Sequence, residues 1–203
     1  MDHYIDINIL PDPDPDSDFS NSFLLRAAFN KLHKALVELK SDCIGISFPN
    51  YPKSESKYKK GLGNQLRLHG NKQNLAGVME TNWLFRMGDY LSHSDILPVP
   101  EQHSFVSVRR KQNKYGNIPK LRRNYIKRHG VTEVEAEQAY PDTLIKRKTN
   151  LPYLTIKSSS TGQNQFPLFI EQKVIAQVDA SETETVPKFN SYGLSKEAVL
   201  PFF

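Results

Sequence analysis

Nine of the 27 basic side chains in this chain fall within Ser104–Gly130, a stretch with no Asp or Glu. They are Arg109, Arg110, Lys111, Lys114, Lys120, Arg122, Arg123, Lys127 and Arg128. The whole chain carries a net charge of +5, yet outside this stretch 18 basic residues face 22 acidic ones, a net of −4. Charge concentrated in this way is the footprint of a phosphate-rich partner. A solvated basic face with no partner is the other reading such a run allows. Arg110 and Gln112 stand two apart in a segment that reads as a strand, Phe105–Gln112, so their side chains point the same way. Arginine suits guanine and glutamine suits adenine in bidentate contacts.

His33 is the second candidate for chemistry. It sits at the edge of an apolar helical stripe, where a side chain is partly covered and partly wet, and an imidazole titrates near neutrality. That suits a general base or acid, and a structural histidine is the alternative. Ser158-Ser159-Ser160-Thr161-Gly162-Gln163 reads as a hydroxyl-rich turn. The six histidines are scattered, with no pair at metal-ligand spacing, and Cys43 is the one cysteine. A cysteine-based zinc site and a disulfide framework are therefore not expected, and a reducing, cytoplasmic compartment is. No GxxxxGK[ST] or GxGxxG string offers a phosphate cradle.

Those residues need elements to hold them. Ile5, Ile7 and Ile9 alternate with Asp6 and Asn8, the pattern of a half-buried strand over Tyr4–Leu10. The acidic, proline-rich Pro11–Asp18 is a loop. Ser20–Lys40 is the clearest helix, with Leu25, Phe29, Leu32, Leu36 and Leu39 in one stripe. Cys43–Phe48 and Gln65–His69 read as strands, the second with Leu66 and Leu68 inward. Asn71–Leu91 is helical in composition, broken around Gly88, with Trp83 and Phe85 as expected core. Ile96–Val99 is a last, edge strand, since Pro98 and Pro100 rule out a central one.

Further on, Pro119 fits the first turn of a helix and Gly130 the position past its end. Ile118, Leu121 and Tyr125 then share one side of that helix, and Lys120, Arg123, Asn124, Lys127 and Arg128 share the opposite arc. Thr132-Glu133-Val134-Glu135 is a capping box that opens another helix. Tyr153–Lys157 reads as a strand, Phe166–Glu171 and Val174–Val178 as a hairpin pair, and Pro201-Phe202-Phe203 as a docked apolar terminus.

The order strand, helix, strand, strand, helix, strand predicts an α+β chain opening with a ferredoxin-like βαββαβ domain. A boundary near Pro100–His103 divides it into a 1–100 domain with His33 and a 101–203 α+β domain carrying the basic helix and the hydroxyl-rich loop. A chain of 203 residues fits that count. No apolar run approaches about 18 residues, so no membrane span is expected. MDHYIDINIL lacks a basic n-region before a long apolar run, so no signal peptide is expected.

Several strings together resemble a known family. They are Met1-Asp2-His3-Tyr4-Ile5-Asp6-Ile7, Lys31-Leu32-His33-Lys34-Ala35-Leu36-Val37, Ile44–Pro49, Pro141-Asp142-Thr143, Ser158-x-Ser160-Thr161-Gly162-Gln163 and Tyr192-Gly193-Leu194-Ser195-Lys196. In order and along nearly the whole chain, they are similar to the CRISPR repeat-processing endoribonuclease of subtype I-F, the Csy type. The resemblance implies an antiviral-defence nuclease that binds the hairpin of each CRISPR repeat transcript and cuts at its 3′ base. It implies no metal or other cofactor, and retention of the mature crRNA within the subtype I-F surveillance complex, whose other subunits are then partners.

By motif, the family's catalytic histidine falls on His33, the serine near the scissile ribose on Ser158, and the tyrosine beside the histidine on Tyr192. Ser160 and Thr161 match positions that contact the RNA backbone. The Arg-x-Gln pair that reads the bottom of the stem falls on Arg110 and Gln112, and the aromatic that stacks on the terminal base pair falls on Phe166. The arginine-rich helix of the family, laid in the major groove, falls on Lys120–His129, so that Lys120, Arg122, Arg123, Asn124, Lys127 and Arg128 become RNA-binding candidates. Asn124 and Lys127 stand where the family usually has arginine, and lysine lacks the planar fork.

With these expectations, 2′-OH attack would leave a 2′,3′-cyclic phosphate and a 5′-hydroxyl. Two other functions compete: a module that holds structured RNA without cutting it, and a duplex DNA binder using the basic helix.

Overall fold

A computed structural model describes residues 1–11, 20–52, 61–112, 117–146, 149–156, 165–175 and 187–203. The chain is α+β and divides into two compact units, Met1–Lys111 with Pro152–Phe203, and Gln112–Leu151. The larger unit holds both sheets, with strands from either side of residue 100.

The first sheet is built from β1 (His3–Ile9), β2 (Gly45–Ser47), β3 (Gln65–Gly70), β4 (Leu91–His93) and β5 (Leu97–Pro98). Its order is β2-β3-β1-β4, all antiparallel, with β5 pairing the start of β1. With α1 (Asn21–Glu38) between β1 and β2 and α2 (Lys72–Glu80) between β3 and β4, this is the split βαβ topology. Ile5 lies opposite Leu68 and Ile7 opposite Leu66, so one face of the sheet is aliphatic and buried. Helix α1 starts where Ser20 Oγ accepts the Phe23 amide, and it buries Leu25, Phe29, Leu32 and Leu36. Each such side chain contributes about 1.5–3 kcal/mol when fully covered.

Four sequence expectations change here. The fourth strand is Leu91–His93, starting at the last residue of the segment that reads as helical, and Leu97–Pro98 adds only a short edge pairing. Helix α2 stops at Glu80, not near Gly88, because Asn82 and Arg86 take left-handed backbone at φ 52° and 62°. Trp83 is buried as expected, while Phe85 is 57% exposed. Leu39, the last of the expected stripe, lies at the C-cap of α1 and is exposed.

The second sheet joins β6 (Ser104–Lys111), β7 (Tyr153–Ile156), β8 (Phe166–Ile175) and β9 (Val199–Phe202) in the order β7-β8-β6-β9. The expected hairpin over Phe166–Val178 is instead one ten-residue strand. Gln172-Lys173 offers no turn former, and the ladder with β6 runs unbroken from Phe105↔Ile175 to Lys111↔Phe169. Gln172 also reaches across to the first sheet: its Oε1 accepts the Phe48 amide and its Nε2 donates to the Phe48 carbonyl, both at 2.8 Å. The expected docked terminus is strand β9, with Leu200 buried opposite Val106.

The smaller unit contains α3 (Ile118–His129), α4 (Glu133–Ala139) and a 3-10 turn, Asp142–Lys146. Asn117 caps α3 by accepting the Lys120 amide, Pro119 stands in the first turn, and Gly130 ends the helix at φ 66°. The capping box of Thr132 and Glu135 opens α4 as the sequence predicts.

Candidate nuclease site

Helix α1 presents Phe29 and His33 one turn apart on the same face, next to a loop that precedes β9. Phe189 and Leu194 are buried and pin the ends of that loop. Between them Asn190 Oδ1 accepts the amides of Tyr192 at 2.9 Å and Leu194 at 3.3 Å. The Gly193 amide donates to the Asn190 carbonyl and the Gly193 carbonyl accepts from the Ile46 amide, so the turn is stitched to β2. Gly193 has φ 70°, and a Cβ there would stand 2.7 Å from Ile46 Cγ2. Both facts leave room for glycine alone.

This turn aims the Ser191 carbonyl at His33. The oxygen lies 2.7 Å from Nδ1. A carbonyl only accepts, so Nδ1 carries the proton, and in the neutral ring the lone pair is on Nε2. Among the described residues Nε2 has no hydrogen-bond partner. Tyr192 covers the imidazole with its ring, centroids 4.2 Å apart and planes at 23°, and Phe29 continues the stack at 6.4 Å. His33 is half-buried, which keeps its outer edge accessible to a substrate. The arrangement is that of an oriented general base or acid: one nitrogen fixed by the backbone, the other available.

Ser158, Ser160 and Thr161 lie outside the described residues, as does the rest of 157–164. The described chain leads to them through β7, whose end is tied to α1 by the Asn30 side chain donating to the Thr155 carbonyl at 3.3 Å. Asn30 is one helical turn before His33.

Arg110 and Phe166 are brought together, the guanidinium carbon 5.4 Å from the ring centroid. Both lie on the same sheet face, because Arg110 opposes Ile170 and Phe166 is four residues along the same strand. Strand β6 ends at Lys111, so Gln112 follows the strand and is exposed. Arg109 points to the other face, where its Nε donates to Glu171 at 2.6 Å. Burial pushes the Glu171 carboxyl up, and the Arg109 hydrogen bond with the charges of Arg109, Lys111 and Lys173 outweighs it and holds the group below the usual carboxylate range.

In the smaller unit, Lys120, Arg123, Asn124, Lys127 and Arg128 are all exposed along α3. Arg122 differs from them. Its Nε donates to the Tyr140 carbonyl at 2.9 Å and its terminal nitrogens reach Glu137 at 3.3 Å and Asp142 at 3.0 Å. It ties α3 to α4 and the 3-10 turn, and Tyr125 packs edge-on against Tyr140 beside it. Arg122 therefore holds the unit together, and the exposed basic arc excludes it.

Sequence reasoning passed over two things. The Ser191 carbonyl and the Asn190 turn that aims it have no side-chain motif of their own, though Asn190-Ser191-Tyr192-Gly193 carries the composition of a turn. His69 was also missed. It is a fully buried residue of β3, 2.8 Å from Ser47 Oγ on the neighbouring strand, and burial first, then the Arg67 charge, push it down to about 3. Among the described residues no cluster of three His, Cys, Asp or Glu side chains could hold a metal ion, and no helix is long and apolar enough to cross a membrane.

A family model described as CRISPR-associated protein (Cas_Csy4) matches residues 4–203. The CRISPR-associated endonuclease Cas6/Csy4 of Pseudomonas aeruginosa (strain UCBPP-PA14) is 39% identical over 203 residues, 100% of each chain. The CRISPR-associated endonuclease Cas6/Csy4 of Escherichia coli (strain UTI89 / UPEC) is 36% identical over 203 residues, again 100% of each. A solved structure of CRISPR associated protein Cas6 is a looser likeness, with 12% identity over 99% of this chain and 98% of that one and a TM-score of 0.34. Matched over all but its first three residues, this chain belongs to the Cas_Csy4 family of CRISPR-associated proteins.

Proposed function

We propose that this protein is an endoribonuclease that binds the hairpin of the CRISPR repeat in precursor crRNA and cuts it at the 3′ base of the stem. The observation that carries this reading is His33, its Nδ1–H held by the Ser191 carbonyl and its ring stacked on Tyr192, with Nε2 unpartnered among the described residues. RNA brings its own nucleophile, the 2′-OH beside the scissile phosphate. Cleavage then needs that hydroxyl held in line, a proton acceptor or donor at the reacting oxygens, and charge to meet the phosphate. His33 Nε2 moves the proton, Ser158 positions the 2′-OH, and Tyr192 keeps the imidazole in plane. The oxygen–phosphorus bond to the 2′ oxygen forms as the bond to the 5′ oxygen breaks, leaving a 2′,3′-cyclic phosphate and a 5′-hydroxyl. No metal takes part.

The exposed basic arc of α3 supports the binding half of the reading, with Lys120, Arg123, Asn124, Lys127 and Arg128 meeting the stem. Arg110 and Gln112 read the bottom of the stem, Phe166 stacks on its last pair, and Ser160 and Thr161 meet the backbone. The product stays bound within the subtype I-F surveillance complex, in the cytoplasm. The test uses a synthetic repeat hairpin and the full chain in EDTA. Cutting at the 3′ base of the stem is expected, and a 2′-deoxy sugar just upstream of the cut should leave the RNA bound and intact. Cleavage of the deoxy RNA overturns the mechanism. Tight binding with no cutting of either RNA points instead to a module that only holds structured RNA.

A further inference from the structure

We propose that Asn190 is a positioning residue for the cleavage reaction, acting through the backbone to fix the proton of His33 on Nδ1. This rests on the reading of His33 as the proton-transfer group. Among the described residues no hydrogen bond joins the side chain of Asn190 to His33. Its Oδ1 instead accepts the amide two residues on, from Tyr192 at 2.9 Å, and the amide of Leu194 at 3.3 Å. That is the hydrogen bond of an Asx turn, with a second donor gathered to the same oxygen. The backbone closes the same loop, as the Asn190 amide donates to the Leu194 carbonyl at 3.0 Å and the Gly193 amide to the Asn190 carbonyl at 2.8 Å.

The residue enclosed by these bonds is Ser191, whose carbonyl meets Nδ1 at 2.7 Å. The next residue is Tyr192, whose ring covers the imidazole. One carboxamide oxygen thus sets both contacts that orient the histidine. Neutral imidazole has two tautomers, and the hydrogen bond at one nitrogen selects between them. With the carbonyl in place, the proton is on Nδ1 and Nε2 faces the substrate as a lone pair. With the turn relaxed, the proton is free to move to Nε2, where it blocks proton acceptance. Asn190 is itself exposed, so its replacement opens no cavity in the core.

The experiment compares the full-length wild type with Asn190→Ala, Asn190→Asp and His33→Ala. Nitrogen-15 NMR of the imidazoles reports the tautomer, single-turnover cleavage of the repeat hairpin reports the rate, and hairpin affinity is measured alongside. In Asn190→Ala the His33 signals should move from the Nδ1–H tautomer towards a mixture, and the rate should fall about 10²-fold with affinity unchanged. Asn190→Asp keeps an acceptor for the two amides and should restore both tautomer and rate to within about threefold. An Asn190→Ala protein with unchanged tautomer overturns the proposal. So does an Asn190→Asp protein that folds but shares the Ala defect, since an accepting oxygen is then not what matters. A His33→Ala protein that cuts at the wild-type rate is a different failure, because it removes His33 from the reaction and leaves the tautomer measurement standing.

Discussion

The rings of His33 and Tyr192 lie face to face, 4.2 Å between centroids and 23° between planes. A flat aromatic at that separation fixes the tilt of the imidazole, while the Ser191 carbonyl fixes its rotation. The stack needs a ring and not a phenol. Tyr192→Phe is therefore expected to cleave within about threefold of wild type, and Tyr192→Ala about 10²-fold more slowly. Single-turnover rates on the repeat hairpin decide this, and a Phe variant as slow as the Ala variant would give the hydroxyl the active role.

His33→Ala should bind the hairpin as the wild type does and lose about 10²–10⁴-fold in rate, the usual share of a positioned acid or base. Filter binding and a cleavage time course on the same preparation separate the two effects. Unchanged rates would remove His33 from the site.

Two neighbouring arginines on α3 should behave differently. Arg123 is exposed, and its replacement by Ala should reduce the slope of log affinity against log salt by about one. Arg122 is held by Tyr140, Glu137 and Asp142, so Arg122→Ala should leave the unit about 1 kcal/mol less stable, read as faster amide exchange along α3. Equal salt slopes and equal exchange in both variants would contradict the division of labour between them.

His69 makes folding stability depend on pH. Burial holds it neutral in the folded chain, at about 3 against an ordinary value of 6.5. The unfolded chain therefore takes up a proton as pH falls below 6.5 and the folded chain does not until near 3. Its contribution is fully present above 6.5 and is lost progressively below it, at about 1.4 kcal/mol per pH unit. His69→Gln retains a partner for Ser47 and removes the titration. Urea unfolding between pH 6.5 and 4.5 should show a shallower loss in that variant, and parallel curves would refute the assignment.

Much of this was readable in the residues. Alternating isoleucines mark β1, the 3.6-residue stripe marks α1, and Asn117, Pro119 and Gly130 bracket α3, because each reports a local preference of the chain. His33 at the edge of its stripe was legible for the same reason. Strand β4 was not, since three residues after a run of turns carry no period. The length of β8 was hidden because its last turns of alternation are broken by Gln172 and Lys173, and only the partner strand and Phe48 explain why they stay extended. Arg122 looks like its neighbours in sequence, and its partners come from 15 to 20 residues away. The contact that orients His33 is a backbone oxygen 158 positions distant, and no side chain advertises it.

Gln172 joins the two sheets by offering one acceptor and one donor to the backbone of Phe48. Deamidation would turn it into a carboxylate with two acceptors. The oxygen replacing Nε2 would then confront the Phe48 carbonyl, and a bond would become a repulsion. Chemical ageing at this one amide would loosen the seam between the sheets while leaving every strand ladder intact.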